Sequence, residues 1–143
     1  MGLRGEAAIV GYTELPSTKR PTGPLEFTLE QWARLAAAAL ADAGLSAADV
    51  DGICTTHLQE SQIFVPSTVI EYLGIKANFA EMVDLGGASA VAMVWRAAAA
   101  IELGLCNAVL CVIPATPMTP VSAQKPLDVS ELMYFGASSN RYG

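Results

Sequence analysis

The 143-residue sequence contains one histidine, eight Lys or Arg residues and three cysteines. A single histidine, His57, excludes a histidine-rich metal site within this chain. No basic cluster exceeds the pair Lys19-Arg20 and the formal net charge is -6, so nucleic-acid binding is not expected. The cysteines match no zinc spacing and each lies in an apolar stretch, which predicts buried free thiols in the reducing cytoplasm.

The sequence also lacks the layout of a signal peptide or a membrane span. Residues 1–14 reach glycines and an acid before any long apolar run. The longest apolar run, residues 88–105, contains Arg96 and Glu102 and consists largely of weakly apolar alanine, which favours a buried helix over a membrane helix. With 52% hydrophobic and 15% charged residues, the chain has the composition of a folded globular domain.

Strand and helix patterns alternate along the chain. The predicted strands cover residues 6–11, 50–56, 79–85 and 108–113, and the predicted helices cover residues 28–43, 66–72 and 88–103. The chain after residue 114 is rich in Pro, Thr and Ser and is predicted to be irregular. The order β-α-β-α-β-α-β indicates an α/β fold with a largely parallel sheet and right-handed crossovers.

Local signals predict where several elements begin and end. Thr28 and Gln31 fit a capping box at the start of the first helix, and Gly44 is a natural residue to follow its end. A second capping pattern, over residues 46–49, predicts a short turn. Alternation along the third predicted strand places on one face Phe79, Glu81, Val83 and Leu85.

The helix predicted over residues 88–103 has almost no polar face. Its polar residues are Ser89, Arg96 and Glu102, whereas an ordinary surface helix has a wide polar side. A helix that is apolar all round must be covered on several sides, and one domain of this size does not easily do so. We therefore expect a second, similar half of the fold, a partner chain, or both.

The start of this helix is the best candidate for chemistry. Gly86 and Gly87 break the preceding strand, and Ser89 lies in the first helical turn. Such a turn leaves unpaired N–H groups at the positive end of the helix dipole, where an oxyanion, a thioester carbonyl or a phosphate could be held. The alternative is a plain strand-to-helix turn that Ser89 caps.

Three segments of the chain resemble the thiolase superfamily. Residues 7–16, AAIVGYTELP, are similar to its opening strand, and residues 83–112 to its nucleophile turn, buried helix and following strand. Residues 36–53, AAAALADAGLSAADVDGI, are similar to the pattern A-x-x-A-L-x-D-A-G-L-x-x-x-D-V-D-G-I of thiolases and ketosynthases. The segments look most like the sterol-carrier-protein-type acetyl-CoA acetyltransferase branch, whose relatives include lyases of coenzyme A thioesters.

This resemblance implies a thiolase-like α/β fold of two similar halves in five α-β-α-β-α layers. Residues 1–116 would form the N-terminal half, with its central helix buried, and residues 117–143 would begin an irregular loop region of a truncated chain. The resemblance also implies a coenzyme A thioester as substrate, no covalently bound cofactor, and a homodimer that meets at residues 79–85. Some relatives work with a small partner protein that contains an OB fold and a zinc ribbon.

The sequence departs from the family pattern at Gly87. Thiolases carry a nucleophilic cysteine in a Cys-x-Ser/Thr-Gly run at this turn, and the corresponding run here is Gly87-Ala88-Ser89-Ala90. The resemblance thus implies that Gly87 occupies the nucleophile position and that Gly86 belongs to an oxyanion-binding turn. The family's histidine and second cysteine belong to the C-terminal half.

Five other side chains are weaker site candidates. Ser89 could replace the nucleophile, but no base stands near it in sequence, so capping is favoured. His57 follows the second predicted strand and either lines the cleft or is an ordinary loop histidine, and Cys54 on that strand is typical of a buried, inert thiol. Glu81 and Asp84 are three apart on a strand and so lie on opposite faces, which does not favour an acid/base pair.

Three functions remain open at this point. The first is a thiolase-like acyl-CoA enzyme of the acyltransferase family that lacks the usual nucleophile and works as a retro-aldol C–C lyase, with an acid/base residue from the C-terminal half. The second is a catalytically inactive binding or scaffold subunit, and the third is a non-functional N-terminal fragment.

Overall fold

The structure, a computed structural model, describes residues 4–16, 27–58 and 64–113. Within these ranges lie three α-helices, α1 (Thr28–Ala43), α2 (Val65–Leu73) and α3 (Ser89–Glu102), and three strands, β1 (Gly52–Thr55), β2 (Phe79–Met82) and β3 (Val109–Val112). Two 3₁₀ turns, Ala47–Asp49 and Gly86–Ala88, precede β1 and α3. The predicted irregular region, residues 117–143, lies outside the described residues.

The three strands form one parallel sheet in the order β2-β1-β3. Gly52 of β1 lies in register with Phe79 of β2 and with Val109 of β3. Helices connect these parallel strands, so the predicted α/β fold class is confirmed. The second, third and fourth predicted strands are all present, each trimmed at its ends to the residues that pair in the sheet.

Helices cover both faces of the sheet. On one face, α1 and α2 form a core with β1 and β3 in which Trp32 and Ile53 are almost fully buried. On the other face, Met93 of α3 packs against Cys54 and Val83. Successive residues of a strand point to opposite faces, so Ile53 marks the α1/α2 face of β1 and Cys54 marks its α3 face.

The predicted ends of the helices are confirmed at their C-termini and corrected at one N-terminus. Glycines in the left-handed conformation follow α1 and α2, as predicted for Gly44. The capping box predicted for Thr28 and Gln31 is wrong, because Thr28 is the first helical residue and Phe27, which has no capping oxygen, occupies the cap position. The Gln31 N–H instead donates to the Phe27 carbonyl at 3.0 Å.

The second predicted capping pattern is confirmed. The Asp49 carboxylate accepts hydrogen bonds from the N–H and the hydroxyl of Ser46, at 2.8 and 2.7 Å. The bond from the Ser46 hydroxyl is the main reason why the pKa of Asp49 lies below its ordinary value. This turn lies directly before β1 and connects it to α1.

The prediction of a strand over residues 6–11 is wrong. This segment joins no sheet in the described residues, and the side chains of Ile9 and Val10 are exposed. It is held by helix ends instead: the N–H of Arg4 donates to Glu102 at 2.7 Å, and the N–H of Tyr12 donates to Asp42 at 3.1 Å. β-Branched residues favour a strand only where a neighbouring strand supplies the hydrogen bonds.

The described residues cover α3 along one side. Met93, Ala97 and Ala100 are buried, whereas Val91 is 76% exposed and Trp95 is 54% exposed. The second layer that the apolar sequence of this helix predicts is therefore not among the described residues. Within those residues, no helix is long and apolar enough to cross a membrane.

Asp51 connects the start of β1 to both neighbouring strands. Its backbone carbonyl accepts a hydrogen bond from the N–H of Asn78 at 2.7 Å, next to the start of β2. Its carboxylate accepts hydrogen bonds from the N–H groups of Asn107 and Ala108, at 2.7 and 2.9 Å, next to the start of β3. One residue therefore fixes the relative positions of three strands.

Replacing Asp51 by Asn should lower the free energy of unfolding by about 1–3 kcal/mol at neutral pH, because two backbone donors lose a charged acceptor. Glu71→Gln removes an exposed carboxylate from α2 and serves as the control, with an expected change within about 0.5 kcal/mol. Urea titrations measure both values. Equal stability of the two variants would contradict the role of Asp51.

The same bonds predict a pH dependence. Hydrogen bonding, first from the Ala108 N–H, lowers the pKa of Asp51 below its ordinary value of 3.8. The stabilisation is therefore complete well above pH 3.8 and is lost as the pH falls through the lower pKa of the folded state. The stability difference between the wild type and Asp51→Asn should shrink below about pH 4.

Candidate functional site

The carboxyl ends of β1 and β2 lie side by side. The N–H of Val83, just after β2, donates to the carbonyl of Thr55, the last residue of β1, at 2.7 Å. The residues that follow each strand, Thr56 and His57 after β1 and Asp84 after β2, are thereby brought to one edge of the sheet. In parallel sheets this edge is where ligands bind.

The turn from β2 into α3 is closed by its own side chains. Ser89 is buried, and its hydroxyl accepts from the Leu85 N–H at 2.9 Å and donates to the Gly86 carbonyl at 2.8 Å. The Ala88 N–H donates to the Leu85 carbonyl at 3.2 Å. The Ser89 hydroxyl is thus bound within the turn on both its donor and acceptor sides, which does not suit nucleophilic attack. The alternative that Ser89 caps α3 is wrong, because Ser89 is the first helical residue and Ala88 occupies the cap position without a side-chain cap bond.

The two glycines of the turn differ in the space and bonds available to them. Gly86 has a left-handed φ of 57°, and its N–H donates to the Asp84 carboxylate at 3.3 Å. Gly87 has no such φ, and a Cβ added to it would meet no atom within 4 Å. None of the hydrogen bonds of the described residues uses the Gly87 N–H. The turn therefore offers one unpaired N–H with open space beside it, at Gly87.

The edge also carries a contact between the side chains of His57 and Asp84. The distance from His57 Nδ1 to Asp84 Oδ2 is 3.8 Å, and both side chains are more than half exposed. Glu81 points elsewhere, with its Oε1 atom 3.5 Å from Nε of Arg96 on α3. The prediction that Glu81 and Asp84 do not act as a pair agrees with these separate partners. The sequence reasoning did not pair His57 with Asp84, although each follows the end of a strand and the strands were predicted to be parallel.

Two buried threonines at the end of β1 lack hydrogen-bond partners. The side-chain hydroxyls of Thr55 and Thr56 are inaccessible to solvent and form no hydrogen bond with the residues that the structure describes, and the same holds for Nε1 of Trp32 in α1. An unpaired buried hydroxyl costs about 1–3 kcal/mol, so such groups are rare in folded proteins. Sequence reasoning missed these residues, because the pattern of a strand does not show which of its polar groups remain unpaired.

The cysteines take no part in this edge. Cys54 is fully buried in the sheet, in register with Cys111 of β3. A hydrogen bond with Cys111, together with burial, raises the pKa of the Cys54 thiol, so the predicted inert thiol is consistent with its surroundings. Burial also raises the pKa of Cys106. The described part of the chain contains no cluster of three His, Cys, Asp or Glu side chains able to hold a metal ion.

The chain is similar to a solved structure described as the Ltp2-ChsH2(DUF35) aldolase. The similarity covers 81% of this chain with a TM-score of 0.58 and 29% sequence identity. This chain spans 30% of the length of that neighbour. No family model matches the sequence, and no curated protein matches it significantly. The neighbour thus supports the fold over most of the chain, and it is an aldolase.

Alanine substitutions at Gly86 and Gly87 test the geometry of the turn. Gly86→Ala places a side chain at a left-handed φ and should lower the free energy of unfolding by about 1–2 kcal/mol. Gly87→Ala meets open space at an ordinary φ and should be neutral, or stabilise by about 0.4–1 kcal/mol through the unfolded chain. Urea unfolding of the matched pair measures the contrast. Equal losses for both variants would contradict this description of the turn.

Proposed function

We propose that this chain functions in a thiolase-like acyl-CoA enzyme that cleaves a carbon–carbon bond by retro-aldol chemistry. The observation that carries the proposal is the turn at the start of α3, where Gly87 offers an unpaired N–H and open space but no nucleophile. The similarity to a chain described as an aldolase supports the reaction class. The absence of a side chain at Gly87 argues against the acyl-enzyme step of a thiolase.

The proposed reaction needs no covalent intermediate. A base removes the proton of the 3-hydroxyl group of a 3-hydroxyacyl-coenzyme A, and the bond between C2 and C3 breaks as the C3–O bond becomes a carbonyl. The electron pair moves to C2 and onto the thioester oxygen as an enolate, and a proton then returns to C2. The products are an aldehyde or ketone and a shorter acyl-coenzyme A. The Gly87 N–H would bind the thioester oxygen as its negative charge develops.

The charges at the turn favour a carbonyl over a phosphate as its ligand. The Asp84 carboxylate already occupies the Gly86 N–H and places a negative charge at the start of α3. A dianionic phosphate would meet the negative charge of this carboxylate. A neutral thioester carbonyl meets no such repulsion in the ground state and gains most from the donor when the enolate forms.

Several finer assignments belong to this proposal. Gly87 occupies the position of the family nucleophile, Gly86 shapes the oxyanion turn, and the chain is assigned to the sterol-carrier-protein-type branch. We further propose a homodimer that meets at residues 79–85 and a small partner protein with an OB fold and a zinc ribbon. The description of the structural neighbour joins two components, Ltp2 and ChsH2, which supports a partner subunit.

The direct test is turnover by the complete gene product. Incubation with a 3-hydroxyacyl-coenzyme A should release an aldehyde or ketone together with a shorter acyl-coenzyme A, detected by mass spectrometry. Binding of the thioester without turnover would favour the alternative, an inactive binding or scaffold subunit whose fold persists without a nucleophile. If neither binding nor turnover is detected, the result contradicts the proposal and favours a non-functional fragment.

The substitution Gly87→Cys tests whether the turn holds a thioester carbonyl beside the nucleophile position. The new thiol lies at the start of α3, where the helix dipole favours the thiolate, and should become acylated by acetyl-coenzyme A. Val91→Cys places an exposed thiol within α3, four residues after position 87, and is the matched control. Intact-protein mass spectrometry should show faster acylation of Gly87→Cys, and equal rates would count against this placement of the substrate.

A further inference from the structure

The proposed reaction needs a base, and the single histidine of the sequence lies at the same edge of the sheet as the turn. His57 comes just after β1, and its side chain is 60% exposed, so a substrate can reach the imidazole. Histidine changes its charge between about pH 5 and pH 8, which suits proton transfer at neutral pH.

The backbone on both sides of His57 is anchored in the folded chain. Thr56 is 4% exposed, and Leu58 is fully buried in the core that α1 and α2 form with the sheet. The hydrogen bond from the Val83 N–H to the Thr55 carbonyl ties the end of β1 to the end of β2. The exposed imidazole therefore stands on a supported backbone, as a group that acts on a substrate requires.

Asp84 connects His57 to the turn at the start of α3. Its Oδ2 atom is 3.8 Å from Nδ1 of His57, and its Oδ1 atom accepts a hydrogen bond from the Gly86 N–H at 3.3 Å. One carboxylate thus contacts both the imidazole and the residue directly before Gly87. The separation of 3.8 Å is a contact and not a hydrogen bond, and catalytic hydrogen bonds often shorten only when the substrate binds.

This contact determines which nitrogen of His57 is available. Nδ1 faces the Asp84 carboxylate, so we assign the proton of the neutral imidazole to Nδ1, where the carboxylate attracts it. Nε2, on the other side of the ring, then keeps its lone pair and can accept a proton. The carboxylate also stabilises the imidazolium that forms when Nε2 is protonated.

We infer that His57 is the general base of the proposed reaction and that Asp84 is its positioning residue. This inference rests on the proposed function. Nε2 takes the proton of the 3-hydroxyl group as the bond between C2 and C3 breaks, and the imidazolium returns this proton to C2 of the enolate. The 3-hydroxyl group is close to the thioester oxygen along the acyl chain, so the base must stand near the Gly87 N–H that binds this oxygen. The acid/base residue that the family resemblance implies in the C-terminal half is then not needed for this step.

The substitution His57→Gln in the complete gene product tests this inference. It should lower kcat/KM for the 3-hydroxyacyl-coenzyme A by about 10²–10⁴-fold, which is the usual contribution of a general base, and most of the loss should fall on kcat. The melting temperature should not change, because the side chain is exposed. Glu71→Gln, which removes an exposed carboxylate from α2, is the control and should keep full activity.

Two further readouts separate catalysis from a structural role. The kcat/KM of the wild type should fall as the pH falls, since only the neutral imidazole accepts a proton, and His57→Gln should lose this dependence. Of the described residues, Asp84 is the charged group in contact with His57, while Glu81 pairs with Arg96. Added imidazole should partly restore the activity of His57→Ala, and Asp84→Asn should lower kcat more than it changes KM.

Four results would overturn the inference. His57→Gln could turn over the thioester as the wild type does, or it could keep the pH dependence of the wild type, which would assign the base to another residue. It could lose its activity together with its melting temperature while imidazole restores nothing to His57→Ala, which would show a structural role. Full activity of Asp84→Asn would remove the positioning role. A wild type that does not turn over the thioester would instead remove the proposed function itself, which distinguishes the two failures.

Discussion

The structure depends on the register that Asp51 imposes on three parallel strands. Its backbone carbonyl holds the start of β2 and its carboxylate holds the start of β3, so β1 is fixed between them at the amino edge of the sheet. Since the strands are short, a register fixed at one edge also determines which residues meet at the other. The consequence at the carboxyl edge is that Thr56 and His57 lie beside Val83 and Asp84.

The features predicted correctly from the sequence are those set by local pattern. The three helices, the strands after residue 50 and the Ser46–Asp49 cap follow from apolar periodicity and from side chains close in sequence. The prediction of a strand over residues 6–11 is wrong because a strand needs hydrogen bonds from a neighbouring strand, and the local composition does not show whether such a strand is present. The prediction that Thr28 caps α1 is wrong because the helix begins one residue earlier than a cap at Thr28 requires, which places Thr28 inside the helix and Phe27 at the cap position.

In the candidate site, too, local features were predictable from the sequence and features that depend on the folded structure were not. The Gly86-Gly87 turn and its place before an apolar helix were visible in the sequence, because glycines and periodicity are local signals. The sequence did not reveal three other features of the site. These are the contact of His57 with Asp84, the hydrogen bond from the Gly86 N–H to Asp84, and the unpaired hydroxyls of Thr55 and Thr56. The contact of His57 with Asp84 joins two strand ends that lie more than 25 residues apart in sequence. The bond from the Gly86 N–H to Asp84 is local, but it depends on the conformation of the turn, which the residue types alone do not specify.

These contacts change what the turn can do. The Gly86 N–H is bound to Asp84 and the Ser89 hydroxyl is bound on both sides, whereas the Gly87 N–H has no partner among the described residues. A site of this kind suits a carbonyl that becomes an enolate, and it does not suit covalent catalysis. The exposed apolar side of α3, with Val91 and Trp95, agrees with the expectation of a further layer against this helix.

The binding position of the thioester carbonyl is the central claim, and a crystal structure of the complete gene product with an amide analogue of a 3-hydroxyacyl-coenzyme A would test it most directly. We predict that the analogue's carbonyl oxygen lies about 2.7–3.1 Å from the Gly87 nitrogen, at the carboxyl edge of the sheet. A carbonyl bound at another place, with the Gly87 N–H facing solvent or a protein acceptor, would contradict the claim.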